Sequence, residues 1–265
     1  MEKKQKNKKV LQNGFKVEFS LIKKYFGKDW LEKQISFIQG GTWINNEESK
    51  KEEIKESGLF ILEKIEELIK KFENFLGFDQ WLKEARNSKG NFEDFFFELL
   101  TLENLVKESN NLTLKSKNEI SGKVLEAEIV YNGDSYLIES TKLKKIPDSL
   151  ENKVTFLFNK STQKFRGNRG IHFVGVYDFF KYPEGNEEAL PELHLLIKRI
   201  QQKFERGKGR FVLAFVITNI FINYNPYLKK TFIQKRYTLL KNPAYKKIPD
   251  SFFRDILVVD DFKII

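Results

Sequence analysis

Two glutamates on an expected β-hairpin are the residues of this chain whose types and spacing best suit chemistry. The run Val124–Tyr131 is rich in apolar residues, Asn132-Gly133 follows it, and Asp134–Thr141 leads away again. Asn-Gly between two such runs signals a two-residue type I′ turn, because both central positions need φ > 0. That turn pairs Tyr131 with Asp134 and, counting back, Ile129 with Tyr136 and Glu126 with Glu139. Two opposed carboxylates ~5 Å apart repel by ~3 kcal/mol at an effective dielectric of about 20. The pair is tolerated if water screens it, if one acid keeps its proton, or if a cation sits between the two. The last case would make the hairpin an active site. A solvent-facing pair satisfied by nearby lysines is the plain alternative, since Glu128 shares the face of Glu126.

The elements around the hairpin decide what can reach it. Residues 15–90 read as helical. A long amphipathic helix over 51–75 carries Ile54, Leu59, Ile61, Leu62, Ile65, Leu68, Ile69 and Phe72, and Gly77 follows its end. A short helix is expected over 78–86. Asn91 starts another that reaches about Lys107, with an apolar stripe of Phe92, Phe95, Phe96, Leu99, Leu102 and Val106. Residues 108–121 read as a polar loop in which Leu112–Leu114 is a short strand candidate. Beyond the hairpin, strands are expected over 153–158, 171–177, 210–217 and 254–259, and a basic loop over 160–169. A helix spans 191–205, with proline at a favoured first position. Strands mixed with helices predict an α/β (α+β) architecture, a mixed central sheet flanked by helices. The expected domains are a basic tail with a helical subdomain over 1–90 and an α/β core over 91–265.

Two further groups can join the hairpin acids. Glu98 lies at the edge of the phenylalanine stripe and Glu103 inside it, and an acid among apolar residues needs a partner. On the 191–205 helix, Gln201 and Lys203 flank the buried face. Lys160, Lys164, Arg166 and Arg169 make the basic loop a candidate for phosphate contact, or an ordinary basic turn. His172 and His194 read as structural or exposed, and Trp30, Trp43 and Trp81 as packing residues.

Composition narrows the chemistry. The 265 residues carry 47 Lys and Arg against 37 Asp and Glu, a formal net charge of +10, which favours an anionic partner such as nucleic acid. The absence of cysteine excludes disulfides and thiolate metal sites, and two histidines are too few for a multi-histidine zinc site. No run approaches the ~18 apolar residues of a membrane span, and the basic start Met1–Lys9 is not followed by an apolar signal core. A cytoplasmic protein without membrane attachment is expected.

With an acid on a helix, an acid on one hairpin strand, an acid within the apolar run Tyr136–Thr141 of the next, and a Gln/Lys-bearing helix after it, the chain resembles the PD-(D/E)xK nuclease superfamily over residues 91–217. The resemblance implies a restriction-endonuclease-like fold and a Mg²⁺-dependent (or Mn²⁺-dependent) endonuclease acting on DNA rather than RNA. It implies Glu126 in the place of the family's aspartate, Glu139 as the acid of the (D/E)xK element and Glu98 as the helix acid, all three as metal ligands. Glu126 has no preceding proline, and Thr141 stands where the family's lysine belongs. Lys142 is next, and alternation turns it to the other face unless a bulge intervenes; Lys203, Lys198 or Lys123 are the other lysines available to the role. A protein of this fold that binds nucleic acid without cutting is the alternative. Cutting both strands at once needs two active sites, which points to a homodimer.

Overall fold

The computed structural model describes residues 19–39, 51–87, 92–105, 111–143, 150–176, 191–225, 230–257 and 262–264. Met1–Lys9, Trp43, Lys107 and residues 258–261 lie outside them. The chain forms two compact units, residues 1–71 and 72–265.

The first unit is helical. It comprises α1 (Ser20–Phe26), α2 (Lys28–Gln39) and α3 (Lys51–Phe72) up to Lys71. Leu62, Ile65, Leu68 and Ile69 recur at helical spacing and are buried. The first amides of a helix have no partner within it. Here Glu66 of α3 serves α1, accepting from Leu21 N at 2.6 Å and Ile22 N at 2.7 Å.

The second unit is built on one mixed sheet in the order β1–β2–β3–β4–β5–β6–β7. After α4 (Phe78–Asn87) and α5 (Phe92–Glu103) come β1 (Asn111–Leu114), β2 (Ala127–Tyr131) and β3 (Asp134–Lys142), all antiparallel. Helix α6 (Leu150–Lys164) crosses over to β4 (Arg169–Gly175), and α7 (Pro191–Glu205) crosses over to β5 (Val212–Asn225); both steps are parallel. Then β6 (Lys230–Lys241) returns antiparallel, and β7 (Phe262–Ile264) runs parallel to β6 after α8 (Asp250–Ile256). This is the expected mixed α+β architecture with helices flanking the sheet. Among the described residues no helix is long and apolar enough to cross a membrane.

The type I′ turn forms as its residues require, with Asn132 at φ +50° and Gly133 at +83°. Gly77 is needed for a different reason: a Cβ there would lie 1.9 Å from the Leu114 carbonyl oxygen, where the 76–77 turn meets β1.

One expected strand, 153–158, is a helix, and residues 254–256 of the expected 254–259 strand are helical. Residues 153–158 belong to α6, because Val154, Leu157, Phe158, Ser161 and Phe165 are buried at spacings of three and four. The short run Val-Thr-Phe-Leu-Phe fits either period, and the longer repeat decides. Residues 250–256 form α8, burying Phe252, Phe253 and Ile256. The basic loop expected over 160–169 is correspondingly the last turn of α6, a short turn, and the first residue of β4.

The helices α6 and α7 cover one face of the sheet. Their Val154, Leu157, Phe158, Leu196, Ile200 and Phe204 pack with Leu137, Val174, Phe215 and Ile217 of the strands. Leu137 and Leu143 bracket Glu139 and Thr141 on that face of β3. The other face of β4 is met by Phe97 of α5.

Candidate active site

The acids gather where β2 and β3 leave the regular ladder. The antiparallel pairing ends at Ala127↔Ile138. Glu126 then donates its amide to the Ile138 carbonyl at 3.1 Å, one residue short of the expected partner Glu139. Leu125 joins the core under α6 and α7, and the Glu126 carboxylate turns to Lys115. The Glu126–Glu139 pairing expected from the hairpin register is therefore offset, because the ladder becomes irregular at that point.

Lys115 holds one half of the site. Its side chain is 5% exposed and its ammonium pairs with Glu126, with Glu84 at 3.1 Å and with Glu98 at 3.5 Å. Burial pulls the ammonium down, but Glu126, Glu98 and Glu84 outweigh it and hold the lysine above its usual range. Its backbone sits at φ +49°, a region unfavourable for a residue with a Cβ. Glu98 also accepts from Trp81 Nε1 at 3.2 Å. Burial first, and repulsion from Glu126 next, push the Glu98 carboxyl up to about 8, against the pull of Lys115 and Trp81. This favours the protonated form of Glu98 near neutral pH.

Glu139 holds the other half, fully buried between two ammoniums. Lys160 Nζ is 2.7 Å from Oε1 and Lys164 Nζ is 2.6 Å from Oε2. Burial and the Glu126 charge push this carboxyl up, and Lys160 and Lys164 pull it back. Lys160 also donates to Thr141 Oγ1 at 2.7 Å and to the Ser140 carbonyl at 3.2 Å. Both lysines lie on α6 four residues apart, hence on one helical face.

Asn118 ties the two halves together. Its side-chain amide donates to the carbonyls of Lys164 at 2.7 Å and Arg166 at 3.1 Å, and its oxygen accepts from the amides of Ile120 and Ser121. The segment bearing Lys115 is thus fastened to the carbonyl end of α6.

The other expected site residues lie elsewhere. Glu103 pairs with Lys235 of β6 at 2.7 Å, which leaves Glu98 as the helix acid beside Glu126. Lys203 is bound to Glu151 and Thr155 of α6, each at 2.8 Å, and serves the α6–α7 contact. Lys142 follows Thr141 in a regular strand, so alternation turns it away from Glu139. Lys198 and Lys123 are exposed. Of the four basic-loop cations, Lys160 and Lys164 turn inward to Glu139, while Arg166 and Arg169 stay exposed. Lys115, Glu84, Trp81 and Asn118 were not identified from sequence as site residues. Helical spacing over 154–165 is the signal that would have turned Lys160 and Lys164 towards the acids.

The donor set is all oxygen, which suits Mg²⁺ or Mn²⁺. Among the described residues no group of three or more Asp, Glu or His side chains is disposed to hold a metal. Lys115 stands between Glu84, Glu98 and Glu126 in their place. Mg²⁺ needs only one or two protein carboxylates, because it keeps several waters.

The sequence matches no family model and no curated protein. Among solved structures, that of Pyrococcus furiosus SfsA in complex with Ca²⁺ is similar at a TM-score of 0.26 and 12% identity, over 53% of this chain and 59% of that one. A likeness of that size fixes neither fold family nor activity.

Proposed function

We propose that the chain is a divergent PD-(D/E)xK-type nuclease that hydrolyses DNA phosphodiester bonds with a divalent cation. The observation that carries this reading is Glu139, a fully buried carboxylate with two ammoniums at 2.7 and 2.6 Å, beside Glu126 and Glu98. Burying so many charges is usually no better for stability than an apolar core of the same volume. Perturbed carboxyls beside fixed lysines are what phosphoryl chemistry uses. The order of helix, antiparallel strands, helix and parallel strand supports the same family. In this reading α6 supplies the lysine that the strand lacks at Thr141.

Glu126 and Glu139 would hold the cation, with Glu98 joining them once its proton leaves. When bound, the cation supplies charge neutralisation at the scissile phosphate and makes water more acidic. Lys160 or Lys164 orients the attacking water and stabilises charge developing on the phosphoryl oxygens. Arg166 and Arg169 contact the DNA backbone, in keeping with the +10 net charge. Cleavage of both strands would take two copies of the chain.

The test is cleavage of plasmid and linear DNA with Mg²⁺ or Mn²⁺. Glu139→Gln is expected to lower the rate by about 10²-fold or more. Full cleavage by a Glu126→Ala/Glu139→Ala double variant would overturn the assignment. One observation favours a second reading, a nuclease-fold protein that binds nucleic acid without cutting: Lys115 already pairs with Glu84, Glu98 and Glu126, among which a cation would otherwise bind. Salt-dependent binding without cleavage by either metal would support it.

A further inference from the structure

His172 has no part in the reaction just proposed, yet both of its ring nitrogens are used and its side chain is fully buried. Nε2 lies 2.8 Å from Thr141 Oγ1, and Nδ1 lies 2.6 Å from Ser161 Oγ. The two ends of this chain of bonds set its direction. Ser161 has one hydroxyl proton, and it donates that proton to the Leu157 carbonyl at 2.6 Å. Ser161 Oγ must therefore accept from His172, so Nδ1 carries the ring proton. Nε2 is left as an acceptor and takes the Thr141 hydroxyl proton. The Thr141 oxygen then offers its lone pairs outward, and Lys160, which can only donate, supplies the next bond at 2.7 Å.

We infer that Thr141 and His172 are positioning residues for Lys160. They form a polarised relay, Lys160 to Thr141 to His172 to Ser161 to the Leu157 carbonyl, that aims the ammonium at Glu139. Thr141 Oγ1 and Ser140 O give Lys160 two hydrogen-bond acceptors, and Glu139 Oε1 at 2.7 Å is its ion-pair partner. A lysine on a flexible stem is thereby held in one direction without a side chain of its own on the strand. Thr141, which stands where the family's lysine belongs, orients the lysine that replaces it. This rests on the nuclease reading for its catalytic consequence, but not for its geometry.

The test joins a structural arm to a kinetic one in the full-length protein. Ring ¹⁵N chemical shifts should report His172 protonated at Nδ1 and bare at Nε2. The Lys160 ammonium, hydrogen-bonded to Thr141 and Ser140 and paired with the buried Glu139, should exchange slowly enough to give a ¹H–¹⁵N side-chain signal. Thr141→Val should abolish that signal, and Thr141→Ser should keep it. In Mg²⁺-dependent cleavage, Thr141→Val should lower kcat by ~10²-fold with KM within about threefold, and Thr141→Ser should recover most of it. A His172 ring protonated at Nε2, or a Lys160 signal unchanged in Thr141→Val, overturns the relay. The tautomer is read in the wild-type chain, so an unfolded variant does not remove the test. If the wild-type chain cleaves nothing while both spectroscopic results hold, the nuclease reading fails and the relay stands.

Discussion

The two halves of the site are electrostatic opposites. Around Lys115 one ammonium faces three carboxyls, and around Glu139 one carboxylate faces two ammoniums. The four acids Glu84, Glu98, Glu126 and Glu139 and the three lysines Lys115, Lys160 and Lys164 leave a formal charge of −1. The proton on Glu98, whose carboxyl is raised to about 8, cancels it at pH 7. Neither half balances alone. The Glu139 half is fixed by ion pairs and a hydrogen-bond relay, whereas the Lys115 half has spare negative charge and a titratable proton. In the proposed function a cation would be held across the two halves, by Glu126 and Glu139, with Lys160 and Lys164 directing its chemistry.

The largest break in this picture is Glu139→Ala. It leaves Lys160 and Lys164 facing each other with their shared partner gone, and should destabilise the chain by about 5 kcal/mol in urea denaturation. Wild-type stability would show that the lysines find other partners. Lys115→Met removes the opposite charge and should cost less, about 3 kcal/mol without metal, because Glu98 is already protonated and Glu84 is partly exposed. Its sharper signature is a Tm that rises with added Mn²⁺ far more than that of the wild type, since Glu126 is then free of its ammonium and open to the cation. Equal metal responses would place the cation elsewhere.

Glu98→Gln is the next smaller perturbation, and its sign follows from linkage. Glu98 has a folded pKa of about 8 against an ordinary 4.5, so between those values the folded chain binds the proton more tightly than the unfolded one. Its contribution is therefore fully present below pH 4.5 and is lost as pH rises through 8. Glu98→Gln should remove that decline, so that its stability gain over wild type grows between pH 5 and pH 8. Parallel stability–pH curves for the two proteins would refute the assignment. The smallest effect belongs to the rim. Arg166→Ala and Arg169→Ala should each weaken DNA binding modestly and lower the salt-dependence slope by about 1 for each phosphate left without its arginine, and the buried pairs should stay as they are.

How far the sequence carried depended on how local each feature was. Asn132-Gly133 set its turn and the Tyr131↔Asp134 register because only φ > 0 residues close that hairpin. Pro191–Glu205 was readable as a helix with its bounds, from a proline start and a full apolar stripe. Reading residues 153–158 as a strand hid the face of α6 that meets Glu139, so Lys160 and Lys164 were read as cations of a basic loop. Lys115 had no signal at all: a lysine in a polar stretch carries no mark of a buried ammonium with positive φ.

By itself the sequence determined the hairpin, the mixed α+β class, and an inventory of acids, lysines and no thiols that suits oxygen-ligand chemistry. These follow from backbone preferences and side-chain period, which act over a few residues. Only the tertiary structure decided that Glu98 and not Glu103 stands beside Glu126, that Lys115 is their counter-ion, and that Thr141 serves a lysine from another element. The ion pairs around Lys115 and Glu139 join groups 11 to 31 positions apart in the chain, as with Lys115–Glu126, Lys115–Glu84 and Lys164–Glu139. Their partners are chosen by where burial removes water, and that is set by the packing of the whole sheet and its helices.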